Sequence, residues 1–224
     1  MVTQRVTVGE WLTIEEDYQR SKRMLDITLT VLALIPASVV MLVTAIAIWI
    51  DSPGPIIFRQ KRVGMNGSEF NLYKFRSMYH NVDCAAHQKA TACFIQGGVI
   101  NSTDAKMPYK LGADPRITRV GRFIRRTSID ELPQLWNVLK GDMSLVGPRP
   151  PIRYEVELYS PHDLLRLAGK PGLTGIWQVY GRGRVTFAEM VEQDISYLET
   201  QSLLYDIKLM VLTVLVMVNG QGGA

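Results

Sequence analysis

DPRITRVGRFIRRTSIDELPQLWNVLKGDMSLVGPRP, residues 114–150, is the stretch around which the chain is organised. Arg116, Arg119, Arg122 and Arg125 recur every third residue with Arg126 beside the last, so on a helix they form a cationic stripe ending just before Asp130 and Glu131. Phosphoryl transfer needs positioned cations to neutralise phosphate, usually a divalent metal on carboxylate oxygen, and sometimes a carboxylate nucleophile. This stretch contains candidates for all three roles.

Spacing also supports a plainer reading. Ser128-Ile129-Asp130-Glu131 fits a capping box, with Ser128 as N-cap and Glu131 reaching back to it. A helix capped at Ser128 would carry Pro133 at its fifth position, where the missing N–H and the ring begin to cost, whereas a cap at Asp130 leaves the proline in the first turn. Either way Asp130 stands at a helix start, where unpaired N–H groups and the helix dipole favour negative charge and phosphate. Capping and phosphate chemistry are compatible.

Together with KRMLD (22–26), SPGPIIFRQKRVGMNGSEFNLYKFRSM (52–78) and KPGLTGIWQVYGR (170–182), this stretch resembles the bacterial sugar transferase family, the monotopic polyprenyl-phosphate sugar-1-phosphate transferases. The match runs in order over nearly the whole chain from Lys22. The resemblance implies transfer of a sugar 1-phosphate from a UDP-sugar to a polyprenyl phosphate such as undecaprenyl phosphate, with release of UMP. It implies a nucleophilic aspartate that forms a covalent phosphosugar intermediate, and an assisting Mg2+. Asp130 and Glu131 match the catalytic and metal-binding pair, while Arg125 and the Arg149 of the GPRP turn match phosphate-holding arginines. Lys74 and Arg76 lie in a matched segment and are candidates either for substrate phosphate or for lipid headgroups. The product would begin a surface glycan such as an exopolysaccharide, O-antigen or capsule.

The chain has 224 residues and a net charge of +4, which bounds it to one domain that can meet an anionic membrane or a phosphorylated substrate without demanding nucleic acid. Cys84 and Cys93, with His80 and His87, match no zinc spacing, and two cysteines make no disulfide framework.

Residues 27–50, ITLTVLALIPASVVMLVTAIAIWI, hold no charge. As a straight helix they would reach roughly 36 Å, against a hydrocarbon core of about 30 Å. The segment is too long for a secretory signal and follows a polar tail, so it is expected to be retained in a membrane. Pro36 removes one ladder hydrogen bond, and basic residues flank both ends: Lys22 and Arg23 before; Arg59, Lys61, Arg62, Lys74 and Arg76 after. Positive residues favour the cytoplasmic face, so both flanks ask for the same side and the segment is expected to turn back at Pro36. The family's break lies at a Ser-Pro pair, whereas here Ile35 precedes the proline and Ser38 follows it.

Ile56-Ile57-Phe58 and Phe70-Asn71-Leu72-Tyr73 read as two strands around the turn Gly64 to Gly67. Residues 79–111 read as a polar surface excursion. Leu132, Leu135, Trp136, Val138 and Leu139 repeat at helical spacing with Gly141 as the stop, and the apolar piece around Trp177 reads as strand-like. Residues 189–198 read as a helix, and 203–218 as an apolar helix, interrupted by Asp206 and Lys208, that lies in the membrane interface or on the core.

The expected fold is α+β and mainly helical: a tail (1–26), a re-entrant membrane helix (27–50), and a catalytic unit (51–224) with a small β-hairpin and interfacial helices. The expected partners are a UDP-sugar, polyprenyl phosphate and membrane lipids, not nucleic acid, with homo-oligomerisation left open. The expected place is the cytoplasmic face of the bacterial inner membrane. A non-enzymatic membrane adaptor, with the basic stripe on anionic lipid or nucleic acid and Asp130 and Glu131 as mere caps, is the alternative.

Overall fold

The computed structural model describes residues 16–79, 85–97, 114–181 and 185–217. A single helix, α1 (Glu16–Asp51), leads into an antiparallel hairpin of β1 (Ile57–Val63) and β2 (Glu69–Phe75). There follow α2 (Ala85–Ile95), α3 (Arg119–Arg126) and α4 (Gln134–Lys140). A short parallel pair then joins β3 (Ser144–Val146) to β4 (Gly172–Thr174) across α5 (Arg153–Val156), and α6 (Phe187–Thr200) and α7 (Leu203–Val216) close the chain.

The mainly helical α+β expectation holds, but several boundaries move. Helix begins at Glu16, so residues 16–26 are part of α1 and not a tail. Pro36 lies inside the helix and does not interrupt its secondary structure. The proline cannot donate to the carbonyl four residues back. Two residues on, Ser38 Oγ donates to Ile35 O at 2.7 Å, a local side-chain bond that does not replace the one lost at Leu32 O. The excursion contains a helix, α2, formed by an Ala-rich run without Gly or Pro; residues 80–84 and 98–113, with His80 and Cys84, lie outside the described residues. The Trp177 piece is strand only as far as Thr174, after which Trp177–Gly181 winds as a π-helical turn.

The helix starts have local causes. Thr118 caps α3 by accepting from Gly121 N at 2.9 Å, and Asp51, the last residue of α1, accepts from Val120 N at 3.1 Å. Gly121 must be glycine, because a Cβ there would stand 2.0 Å from Ser77 O. Thr186 and Glu189 form a reciprocal capping box on α6. Gly141 ends α4 in the left-handed region at φ 90°.

Helix α1 is held by the rest of the chain at both ends. Near its start, Arg23 donates to Val138 O and Leu139 O at 2.6 and 2.7 Å, where α4 ends, and Asp26 accepts from Leu145 N at 3.1 Å. Lys22, 5% exposed, bonds Asp206 at 2.7 Å, and Asp206 also accepts from Tyr197 at 2.6 Å and Tyr18 at 2.9 Å. Asp206 is therefore the buried hub of a network that joins α1, α6 and α7. Near the end of α1, Ile48 packs with Phe75 and Ile124. Between these anchors α1 exposes Val31, Leu32, Ile35, Val39, Leu42, Val43 and Ile46, and α7 exposes Leu204, Val211, Val214 and Leu215. A surface this apolar is one that lipid covers.

Candidate functional site

Asp130 sits on a 3-10 turn, Ile129–Glu131, between α3 and α4. The chain enters it through Ser128 at φ 57°, ψ 15°, a left-handed conformation rarely adopted by a residue with a Cβ. That backbone is incompatible with the capping box the sequence suggests: Ser128 makes no side-chain cap hydrogen bond, and α4 begins after Pro133, which pre-sets the helical φ. Neither Ser128 nor Asp130 caps α4. Ile129 packs against the cluster of Ile48, Phe75 and Ile124, so the turn is seated on the end of the apolar helix.

Asp130 is 9% exposed and its carboxyl is pushed up to about 6. Burial is the chief cause; Glu131 adds to it, while Lys74 and Arg125 oppose it. Beside it Glu131 accepts from Lys74 Nζ at 2.6 Å, so β2 delivers a cation to the carboxylate pair. Arg62, Lys74, Glu131, Gln134, Arg149 and Gln178 line a cleft of about 300 Å3. Glu131, the neighbour of Asp130, lines that cleft, and Asp130 lies behind it, buried.

The structure brings Arg149 into this cleft as an exposed guanidinium on the turn after β3, 5.7 Å from the Trp177 ring centre. The turn is close-packed, for a Cβ on Gly147 would come within 2.4 Å of Lys170 O. Arg62 braces it from β1 by donating to Pro150 O at 3.0 Å, with Val63 N on Pro151 O at 2.9 Å. Burial first, then the charge of Arg149, lowers Arg62 to about 10. Two guanidiniums held this close favour an anion between them.

Arg76 is a correction. It is buried away from the cleft, donating to Pro55 O at 2.7 Å, Ser52 O at 2.6 Å and Ser52 Oγ at 2.9 Å, where it ties the end of α1 to the hairpin. The arginine stripe is also shorter than its spacing suggests. Arg116 precedes α3 and pairs with Asp114 at 2.8 Å, leaving Arg119, Arg122 and Arg125 on the helix. The residues that sequence reasoning missed are Gln134 and Gln178, and Arg62, which with Arg59 and Lys61 reads equally as a substrate or a headgroup contact, is the one of the three that lines the cleft. Strand alternation could have found Arg62: with Gln60 opposite Leu72 in the hairpin register, Arg62 and Lys74 fall on one face while Arg59 and Lys61 fall on the other.

Buried carboxylate, carboxylate neighbour and clustered cations make a site for phosphate chemistry. The sequence profile of the family described as bacterial sugar transferase matches residues 17–220. The chain is 45% identical over 203 residues to the galactosyl transferase CpsE of Streptococcus agalactiae, covering 90% of this chain and 43% of that protein. It is 43% identical over 201 residues to the undecaprenyl-phosphate galactose phosphotransferase of Salmonella typhimurium, covering 90% and 41%. It is 41% identical over 201 residues to the UDP-glucose:undecaprenyl-phosphate glucose-1-phosphate transferase of Caulobacter vibrioides, covering 86% and 68%. The chain thus spans about two fifths of the length of the first two relatives.

Proposed function

The chain belongs to the bacterial sugar transferase family, and on that premise we propose that it transfers a sugar 1-phosphate from a UDP-sugar to a polyprenyl phosphate at the cytoplasmic face of the bacterial inner membrane. The observation that carries this reading is a buried, desolvated Asp130 on a turn seated against an apolar helix and beside a cleft of cations. In the first step a carboxylate oxygen of Asp130 attacks the sugar-bearing phosphorus, and the bond from that phosphorus to the bridging oxygen breaks so that UMP leaves. In the second step a phosphate oxygen of the polyprenyl phosphate displaces Asp130 and restores the carboxylate. At neutral pH Asp130 is ionised, and its poor hydration keeps it reactive. Arg149, Arg62, Lys74 and Arg125 offset the charge of the phosphates that it must approach.

Magnesium is commonly held by one or two carboxylates, with water and substrate phosphate completing the shell. Asp130 and Glu131, adjacent on one turn, supply that minimum. When bound, the ion would supply neutralisation of phosphate oxygens at these two carboxylates.

The membrane arrangement has independent support. Lys22, Arg23 and Asp26 at one end of the apolar stretch, and Ile48 and Asp51 at the other, all hold the same folded body. One body gripping both ends favours a segment that enters the membrane from one side, with both flanks cytoplasmic, over one that crosses, and Pro36, inside the unbroken helix, is where it would bend. The acceptor's phosphate then lies at the interface, within reach of the turn that carries Asp130.

The test is adduct mapping. Full-length protein incubated with magnesium and radiolabelled UDP-sugars, without lipid acceptor, should release UMP and retain label on the Asp130 peptide. Label on any other residue, or full turnover by Asp130→Asn, would sink the assignment.

A further inference from the structure

A second, larger cavity of about 720 Å3 opens beside the cleft, and Arg149 and Pro150 line both. Four aromatic side chains contributed by separate elements wall it: Phe94 from α2, Tyr159 after α5, Trp177 from the π-helical turn and Phe187 at the start of α6. Tyr159 and Phe187 lie 5.3 Å apart and tilted, and Phe94 meets Phe187 edge-on at 6.2 Å. Tyr159 is fixed from behind by Arg166, which bonds its hydroxyl at 3.1 Å and is itself paired with the buried Asp194.

We propose that this aromatic cavity holds the nucleoside of the nucleotide-sugar donor. The inference rests on the transferase reading and adds the donor's orientation. A nucleotide sugar has three parts in line: a flat base with its ribose, a diphosphate, and a sugar. Arg149 stands where cleft and cavity meet, which is where the diphosphate belongs if the sugar-bearing phosphate is to reach Asp130. The base then enters the cavity and stacks on its rings, as bases do on aromatic platforms elsewhere.

The rings and aliphatic side chains make most of this wall and suit a flat base, while Thr91 and Glu155 on it can meet the ribose hydroxyls. The isoprenoid chain belongs with the apolar helix α1, and no α1 residue lines the cavity. Donor and acceptor thus approach Asp130 from different sides, the acceptor along α1 and the donor past Arg149 and Trp177.

The experiment measures binding and kinetics on the full chain in nanodiscs, with UMP as the probe. Two variants are used, Phe94→Ala to remove a ring and Thr91→Trp to fill the cavity from α2, each checked by circular dichroism and melting. The expected result is that UMP binds about tenfold more weakly in both, the loss of roughly one stacking contact. KM for the UDP-sugar should rise by a similar factor, with kcat at saturating donor and KM for polyprenyl phosphate holding. UMP affinity within twofold of the parent in both folded variants overturns the proposal. So does a changed preference among UDP-sugars at constant UMP affinity, which gives the cavity to the sugar, or a raised KM for polyprenyl phosphate alone, which gives it to the lipid. If the parent binds UMP, the variants lose it, and no UDP-sugar is turned over, the nucleoside subsite stands and the proposed transfer falls.

Discussion

Replacing Asp130 by asparagine should stabilise the protein while removing its proposed activity. The carboxyl titrates near 6 in the folded chain against an ordinary 3.8, raised first by burial. Two pH units of difference correspond to about 3 kcal/mol. The sign follows from linkage. The folded state holds this proton more tightly than the unfolded state, so the contribution of Asp130 is most favourable below pH 4, is lost as pH rises from 4 through 6, and above that is the whole cost of a desolvated charge. Asparagine is neutral throughout and nearly the same size. With metal removed by EDTA, Asp130→Asn should therefore melt higher than the parent at pH 8. About 3 kcal/mol in a chain of this size is roughly 6–12 °C. Melting followed by tryptophan fluorescence at pH 8, 6 and 4.5 reads the difference, because other titrating groups cancel between the two proteins. The gap should be full at pH 8 and close towards pH 4.5. A variant no more stable than the parent at pH 8, or a gap that ignores pH, would refute the assignment of a strained carboxylate. A site that gains stability by losing its working group is what a stability cost carried for function predicts.

Two further outcomes test the anchors of the site and of the membrane helix. Arg149→Lys keeps the charge but loses the planar fork, so transfer should fall at least about tenfold with the fold intact, as a steady-state assay of UMP release would show; activity within twofold would return Arg149 to an ordinary surface role. Lys22→Met leaves Asp206 buried without its cation and should cost about 3–5 kcal/mol, whereas Lys22→Met with Asp206→Leu should recover much of that; chemical denaturation in one detergent compares the three, and equal losses in the single and double variants would show that the pair does not couple.

Parts of this architecture are legible from local pattern alone. The hairpin declares itself by two apolar strands around Gly64 to Gly67, α4 by its helical spacing and the Gly141 stop, and the part of α1 over residues 27–50 by the absence of charge. The carboxylate pair and Arg149 stand out because charges bunched in one short segment are costly without a ligand. Other features depend on contacts that no window of sequence contains. Arg76 looks like Lys74 two residues earlier, but it satisfies the carbonyls of Ser52 and Pro55 at the end of α1. Asp206 looks like a flaw in an apolar helix until Lys22, Tyr18 and Tyr197 are found around it. Ser128 has the letters of a cap, yet its left-handed backbone denies it that geometry. The aromatic cavity is the extreme case, since Phe94, Tyr159, Trp177 and Phe187 meet only when four elements have packed.

The Lys22 to Asp206 bond also sets an order of assembly. The two residues are 184 positions apart, so the ammonium of Lys22 leaves the ribosome long before the carboxylate that neutralises it. At bacterial synthesis rates the wait is roughly 10–40 s. During that interval the amino-terminal charge of α1 must stay hydrated. Only when α7 arrives does Lys22 acquire a partner that lets it withdraw from water and lock against Tyr197. Helix α7 is thus the latch that ties the start of α1 to α6.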